Sequence, residues 1–238
     1  MQAVTLPVAG LLAAWLGACL AGDARPEELE QALPQDQLHL MAGLDTEPDT
    51  GALSPTLALG ALRRLGATSA ALALPVPGDP VGLAGPAELN AEAIEAGEAV
   101  LLVGAGVGLV PAWTGDVVTW RALPAHRPRP LDPSEATTTL RLALSEATAR
   151  LVELEVARWQ PEIADVLGNL RHRRPPRLPR SHADRVGAVD RACLCLEIVA
   201  LAAESEGGAV SAYEVEQRRQ ALVPLDRAAR HALVALLS

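Results

Sequence analysis

The spacing of apolar residues changes along this chain, and each change marks an element. From Val4 to Gly22 nearly every position is apolar, with no polar face. Arg25-Pro26-Glu27-Glu28 follows at once as a helix start, with proline at the first helical position and acids near the positive end of the dipole. The two stretches predict a helical hairpin. Leu38, Leu40 and Ala42 then alternate with His39 and Met41, the two-residue period of a short half-buried strand. Ser54 and Pro55 open the next helix, Arg63 and Arg64 suit its last turn, and Gly66 ends it.

Thr68 to Val76 reads as a buried strand, Pro77 to Gly85 as a loop rich in Gly and Pro, and Pro86 to Ala96 as a helix that Gly97 stops. Glu98 to Val103 is another apolar strand. Strand, loop, helix and strand in succession predict a right-handed crossover with the two strands parallel. Strands near Leu109–Trp113 and Val117–Ala122 flank a turn at Thr114-Gly115-Asp116.

Beyond a Pro-rich connector at 123–132 the period becomes helical. Asp132-Pro133-Ser134-Glu135 is a helix start, and Leu140, Leu144, Ala147, Leu151 and Leu154 form one apolar stripe behind it. A second helix is expected from Pro161, burying Ile163, Val166, Leu167 and Leu170. The next, Ala183 to Ala203, is apolar almost all round from Ala192. Ser211 and Glu214 form a capping box for another, and Pro224 is expected to open the last. The fold class is therefore α+β: an acidic, mixed small β-sheet with helices and the N-terminal hairpin in residues 1–123, and a helical bundle in 132–238.

Composition sharpens this picture. The chain has 238 residues, half of them hydrophobic, yet no Phe, one Tyr and four Trp, so the core must be built from Leu, Ala and Val. All twenty basic residues are Arg. The joint absence of Phe and Lys, whose codons are AT-rich, points to a GC-rich genome. Net charge is −9, unevenly placed: residues 1–123 carry fourteen Asp and Glu against four Arg, and residues 124–238 fifteen against sixteen. The acidic half has no positive field, and the other half has only Trp159 and Tyr213 as aromatics, so no nucleic-acid partner is expected. Cys19, Cys193 and Cys195 are too few for a disulfide framework and predict a reducing, cytoplasmic setting. Cys193 and Cys195 lie two apart on an expected helix, pointing about 200° from each other. With His at 39, 126, 172, 182 and 231, no metal site is expected. The Val4–Gly22 run lacks a basic residue before Arg25, so no signal peptide and no membrane span is expected.

Three segments carry candidate chemistry. Asp45-Thr46-Glu47-Pro48-Asp49 has the look of a calcium loop, but Thr50 replaces its Gly and Thr56 its final Glu, which leaves a solvated loop. Val103 to Pro111, with Gly104, Gly106 and Gly108, resembles the pyrophosphate loop of Rossmann domains and of the nicotinamide domain of ferredoxin reductases. The third Rossmann glycine falls at Leu109, no acid stands about twenty positions on, and the turn at Thr114-Gly115-Asp116 leaves no room for the helix. A β-ribbon folding back after residue 108 is expected instead, and no cofactor. If the strands at 69–76 and 98–103 are parallel, Gly78, Asp79 and Gly85 share a sheet edge with Gly104, Gly106 and Gly108, a candidate ligand site. Finally, Arg171 to Arg180 is the one basic concentration. Arg173, Arg174, Arg177 and Arg180 are candidate partner contacts, with Arg173, Pro176 and Pro179 at the spacing of a polyproline ligand; a plain linker, or a contact with the acidic half, would use the same residues.

There is no Gly-x-Ser-x-Gly elbow and no His-Glu-x-x-His, and Cys193 and Cys195 read as core thiols. Glu197, alone in an apolar run, is expected on a narrow exposed edge or paired with Arg. The stretch Leu74 to Pro86, with the following Ala-Glu-Leu-Asn and Glu-Ala-Gly-Glu-Ala-Val, resembles a set of uncharacterised actinobacterial proteins; the likeness extends over most of the chain and implies a host, not a mechanism. The expectation is a non-enzymatic protein-interaction or scaffold protein, binding a protein partner or its own copy. The alternative is a small-molecule or nucleotide-binding protein or enzyme with its site at loop 77–85 and turn 104–108.

Overall fold

A computed structural model describes residues 6–44, 51–153, 175–204 and 212–238. The fold is α+β. Among the described residues the sheet has five strands: β1 (Leu38–Ala42), β2 (Ser69–Ala73), β3 (Ala99–Val103), β4 (Val107–Thr114) and β5 (Val117–Pro124), in the order β1-β5-β4-β3-β2. Only β1 and β5 run parallel. The described helices are α1 (Val8–Ala21), α2 (Pro26–Ala32), α3 (Pro55–Arg64), α4 (Ala87–Ala96), α5 (Pro133–Glu153), α6 (Val186–Glu204) and α7 (Ala212–Leu236). The expected helix from Pro161, the loop Asp45–Asp49 and the capping residue Ser211 lie outside the described residues.

The unbroken apolar run at the N-terminus becomes α1, which is buried on every side. Such a helix belongs either in a membrane or in the middle of a protein. Here it lies between the sheet and the helical half. Gly17 brings it against the backbone of Ala70 on β2, and Gly10 meets Leu237 from the chain's other end. Among the described residues no helix is long and apolar enough to cross a membrane. One apolar core runs through both halves, joining Leu12 and Leu16 to Trp120, Val189 and Leu233. A smaller core under α4 joins Leu89 and Ala93 to Leu101, Val110 and Leu123.

Two expectations need correction. β2 and β3 are antiparallel, Ser69 facing Val103 and Ala73 facing Ala99. The loop after β2 first turns at Val76–Asp79, then climbs over the sheet until Ala84 accepts the His126 N–H beyond the far end of β5. Helix α4 runs back down, so β3 starts where β2 stopped. A loop of that length can outspan a five-residue strand of about 17 Å, and this cancels the crossover. Second, Pro224 does not open a helix; it lies inside α7. An internal proline costs about 3 kcal/mol. Burial of Ala221, Leu222, Leu225, Ala228 and Ala229 on both sides of it outweighs that.

The row of β1 that faces the main core is His39 and Met41; Leu38, Leu40 and Ala42 look outward. Parallel pairing with β5 sets His39 beside Val118 and Met41 beside Trp120, both on the core side. Trp120 Nε1 donates to His39 Nδ1 at 3.3 Å. Burial pushes the His39 pKa down.

Candidate functional site: a charged seam and the groove beside it

The Val76–Asp79 turn closes through two backbone hydrogen bonds, Val76 N–H to Asp79 O at 3.1 Å and Asp79 N–H to Val76 O at 2.9 Å. It needs Gly78, whose φ is +85°. The turn presents the Asp79 carboxylate to α7, where three bases meet it. Arg230 Nη2 lies 2.8 Å from Oδ2, His231 Nε2 lies 3.0 Å from Oδ1, and Arg227 Nε stands at 3.7 Å. Arg230 is only 7% exposed and also donates to Leu74 O at 3.0 Å and to Asp226 at 2.9 Å. Burial alone would push the Asp79 pKa up. Hydrogen bonds and charge from His231 and Arg230 outweigh it and hold the carboxyl below its usual range. The cluster joins sheet half to helical half.

Arg227 and His231 turn from this seam into a groove of about 520 Å³ between α5 and α7. Its apolar lining is Leu131, Ala136, Leu142, Ala143, Pro224 and Ala228, and three acids stand along it: Asp132, Glu135 and Glu146. Asp132 is occupied as the cap of α5, accepting the Ser134 and Glu135 N–H groups at 2.8 and 2.9 Å. Leu142 is 61% exposed.

The six candidate ligand residues are distributed over three places. Gly78 and Asp79 sit at the end of the sheet where β2 finishes, against α7. Gly85 and Gly108 both make room for Leu89: a Cβ on Gly85 would lie 2.2 Å from its Cδ2, and one on Gly108 2.7 Å from its Cδ1. Gly104 and Gly106 form the β3–β4 turn at the opposite end, with φ of +92° and +67°. β4 pairs back on β3 directly, so no helix start faces the turn. Beside it lies an open hollow of about 420 Å³, lined by Thr68, Leu102, Val103, Gly104, Gly106 and Arg127. Arg127 was not singled out in the sequence, because nothing near it in the chain marks it.

Of the candidate partner arginines, Arg173 and Arg174 lie outside the described residues. Arg177 is exposed but strapped to α1: its carbonyl accepts the Trp15 Nε1–H at 3.0 Å, and its guanidinium stands 6.0 Å over the Trp15 ring. Arg180 opens a short 3₁₀ turn and is exposed.

Several buried groups escaped the sequence reading or sit differently in the fold. Glu98, just before β3, accepts the Ala9 N–H at 2.9 Å and so caps the first turn of α1 from a distance in sequence of 89 residues. Its burial raises its pKa to about 7. Glu197 is 3% exposed and has a partner, so of its two expected settings only the exposed edge is excluded. Burial pushes Cys19 up to about 11 and Cys195 upward too, which keeps both thiols protonated and unreactive. Among the described residues no group of three or more His, Cys, Asp or Glu could hold a metal ion.

No curated protein matches the chain, and no solved structure does. Two family models do. Residues 9–136 match the N-terminal domain of Rv1486c-like proteins and residues 134–234 the C-terminal domain, meeting in the first turn of α5. The chain belongs to the Rv1486c-like protein family.

Proposed function

We propose that the protein acts by protein contact rather than catalysis, in the cytoplasm of an actinobacterium, and that the α5–α7 groove receives a short basic segment of a partner. The observation that carries this is the groove's lining: an apolar floor with Leu142 left open, and acids along it. The two basic side chains that enter it, Arg227 and His231, both already face Asp79. Glu135 and Glu146 remain to meet a positive partner. An apolar-faced segment with Arg or Lys at its flanks satisfies both features: side chains on the floor supply affinity, and the rim sets orientation and association rate. The actinobacterial setting rests on the Arg-only, Phe-free composition and the resemblance carried by Leu74 to Pro86.

The test is photo-crosslinking in the native host from a reactive group placed at Leu142. Adducts should map to an Arg- or Lys-rich segment of the partner, and Glu135→Arg with Glu146→Arg should remove them. Absence of adducts, or adducts on acidic segments, overturns the reading.

A second reading keeps a ligand. The hollow beside Gly104 and Gly106 has Arg127 as its one cation, which suits a small anion. Native mass spectrometry that finds a stoichiometric small molecule, lost in Arg127→Ala, would give this reading first place.

A further inference from the structure

We propose that His231 is a proton switch on the α5–α7 groove: the neutral ring lets a basic segment bind, and protonation releases it. The switch rests on that groove being the partner site and adds its regulation.

His231 stands at a border. Its Nε2 lies 3.0 and 3.1 Å from the two carboxylate oxygens of Asp79, and the same ring lines the groove. The side chain is 30% exposed, so solvent reaches it. Imidazole is the side chain whose charge ordinarily changes between about pH 5 and 8. With its proton on Nε2, the neutral ring donates to Asp79 just as the charged ring does. An added proton goes to Nδ1. The ring therefore keeps its place, and only its charge changes.

The surrounding charges set what that change does. Among the described residues, Asp79 faces the ring from the turn after β2, and Arg227 and Arg230 share Asp79 with it from α7. Asp226, also on α7, pairs with Arg230. From the α5 side of the groove come Asp132, Glu135 and Glu146.

With the ring neutral, the two carboxylates and two guanidiniums of the seam cancel. The acids of the α5 side are then the groove's surplus charge, and they attract Arg or Lys. Protonation adds a positive charge that the seam does not need, because Arg230 at 2.8 Å and Arg227 at 3.7 Å already serve Asp79. That charge lies on the groove wall. There it repels the segment's cations and offsets the acids that held them. Exposed charges of this kind change affinity by about three- to fivefold.

The experiment is isothermal titration calorimetry of the full chain with a short synthetic peptide of leucine and arginine, from about pH 5.5 to about pH 8 at constant salt. Ordinary carboxylates stay charged over this range. Affinity should fall about three- to fivefold from the alkaline to the acidic end. His231→Gln can still donate to Asp79 but takes up no proton, so it should hold the alkaline-end affinity throughout. His231→Arg, charged at every pH, should bind weakly throughout. Circular dichroism checks that both variants keep the fold. Glu98, with its pKa at about 7, titrates in the same range but lies against the first turn of α1, so Glu98→Gln should leave the fall unchanged. No fall in the parent, or a fall that survives in His231→Gln, overturns the switch and leaves the groove standing. A peptide that binds at no pH, or binds equally well to Glu135→Arg with Glu146→Arg, overturns the groove reading and the switch with it.

Discussion

Glu98 shows how one buried group can set a pH response. Its carboxyl pKa is raised to about 7 by burial, above its ordinary range, so the folded chain holds a proton that the unfolded chain releases. Its contribution to stability is complete below the ordinary carboxyl range and is lost as pH rises through about 7. Glu98→Gln keeps an oxygen for the Ala9 N–H and removes the titration. Melting temperatures at mildly acidic and mildly alkaline pH should differ less in Glu98→Gln than in the parent; an unchanged difference would assign the pH response elsewhere. Asp79 acts in the opposite direction, its pKa held low, so its contribution fades as pH falls below the carboxyl range. Asp79→Ala leaves Arg230 buried with Asp226 and Leu74 O alone, and we expect a loss of about 3 kcal/mol, the lower end for a broken buried pair. Urea unfolding of Asp79→Ala, Arg230→Ala and the double variant would show the two losses to be coupled, with the double variant falling well short of their sum.

At the scale of elements, turns and close approaches decide what patterns could not. Gly22 and Gly104 both lie at positive φ, yet a Cβ on Gly22 meets nothing within 4 Å, while one on Gly104 would lie 2.4 Å from the Gly66 carbonyl. Gly22→Ala should therefore cost about 1 kcal/mol of backbone strain. Gly104→Ala should cost clearly more, because backbone and not a movable side chain stands in the way; chemical denaturation of the two variants measures the difference. Glycines 85 and 108, which looked like ligand loops in the chain, hold space for Leu89. Helix ends were easier to read. Pro26, Ser54, Asp132 and Gly97 act where they were expected to, since capping depends on residues within one turn. The path from β2 to β3 was not legible, because a loop of its length permits either strand direction.

For the whole molecule, the division into a sheet half and a helical half describes sequence better than packing. α1 is covered by sheet on one side and approached by Leu237 on another, and Asp79 is held by three bases of α7. A single cooperative transition is expected in scanning calorimetry of the full chain. Two separate transitions would show that the halves carry independent cores.

Local rules therefore determined much here: the helix starts, the β-ribbon after Gly108 and the α+β class. These depend on neighbours within a few residues, and one chain displays them. Tertiary structure alone decided the antiparallel β2–β3 pair, the unbroken α7 through Pro224, and which row of β1 faces inward. It also decided the place of every group with unusual chemistry. Asp79 lies 152 positions from His231 and Glu98 lies 89 from Ala9. A charge's pKa and partners depend on distance in space, and spacing along the chain carries almost none of that information.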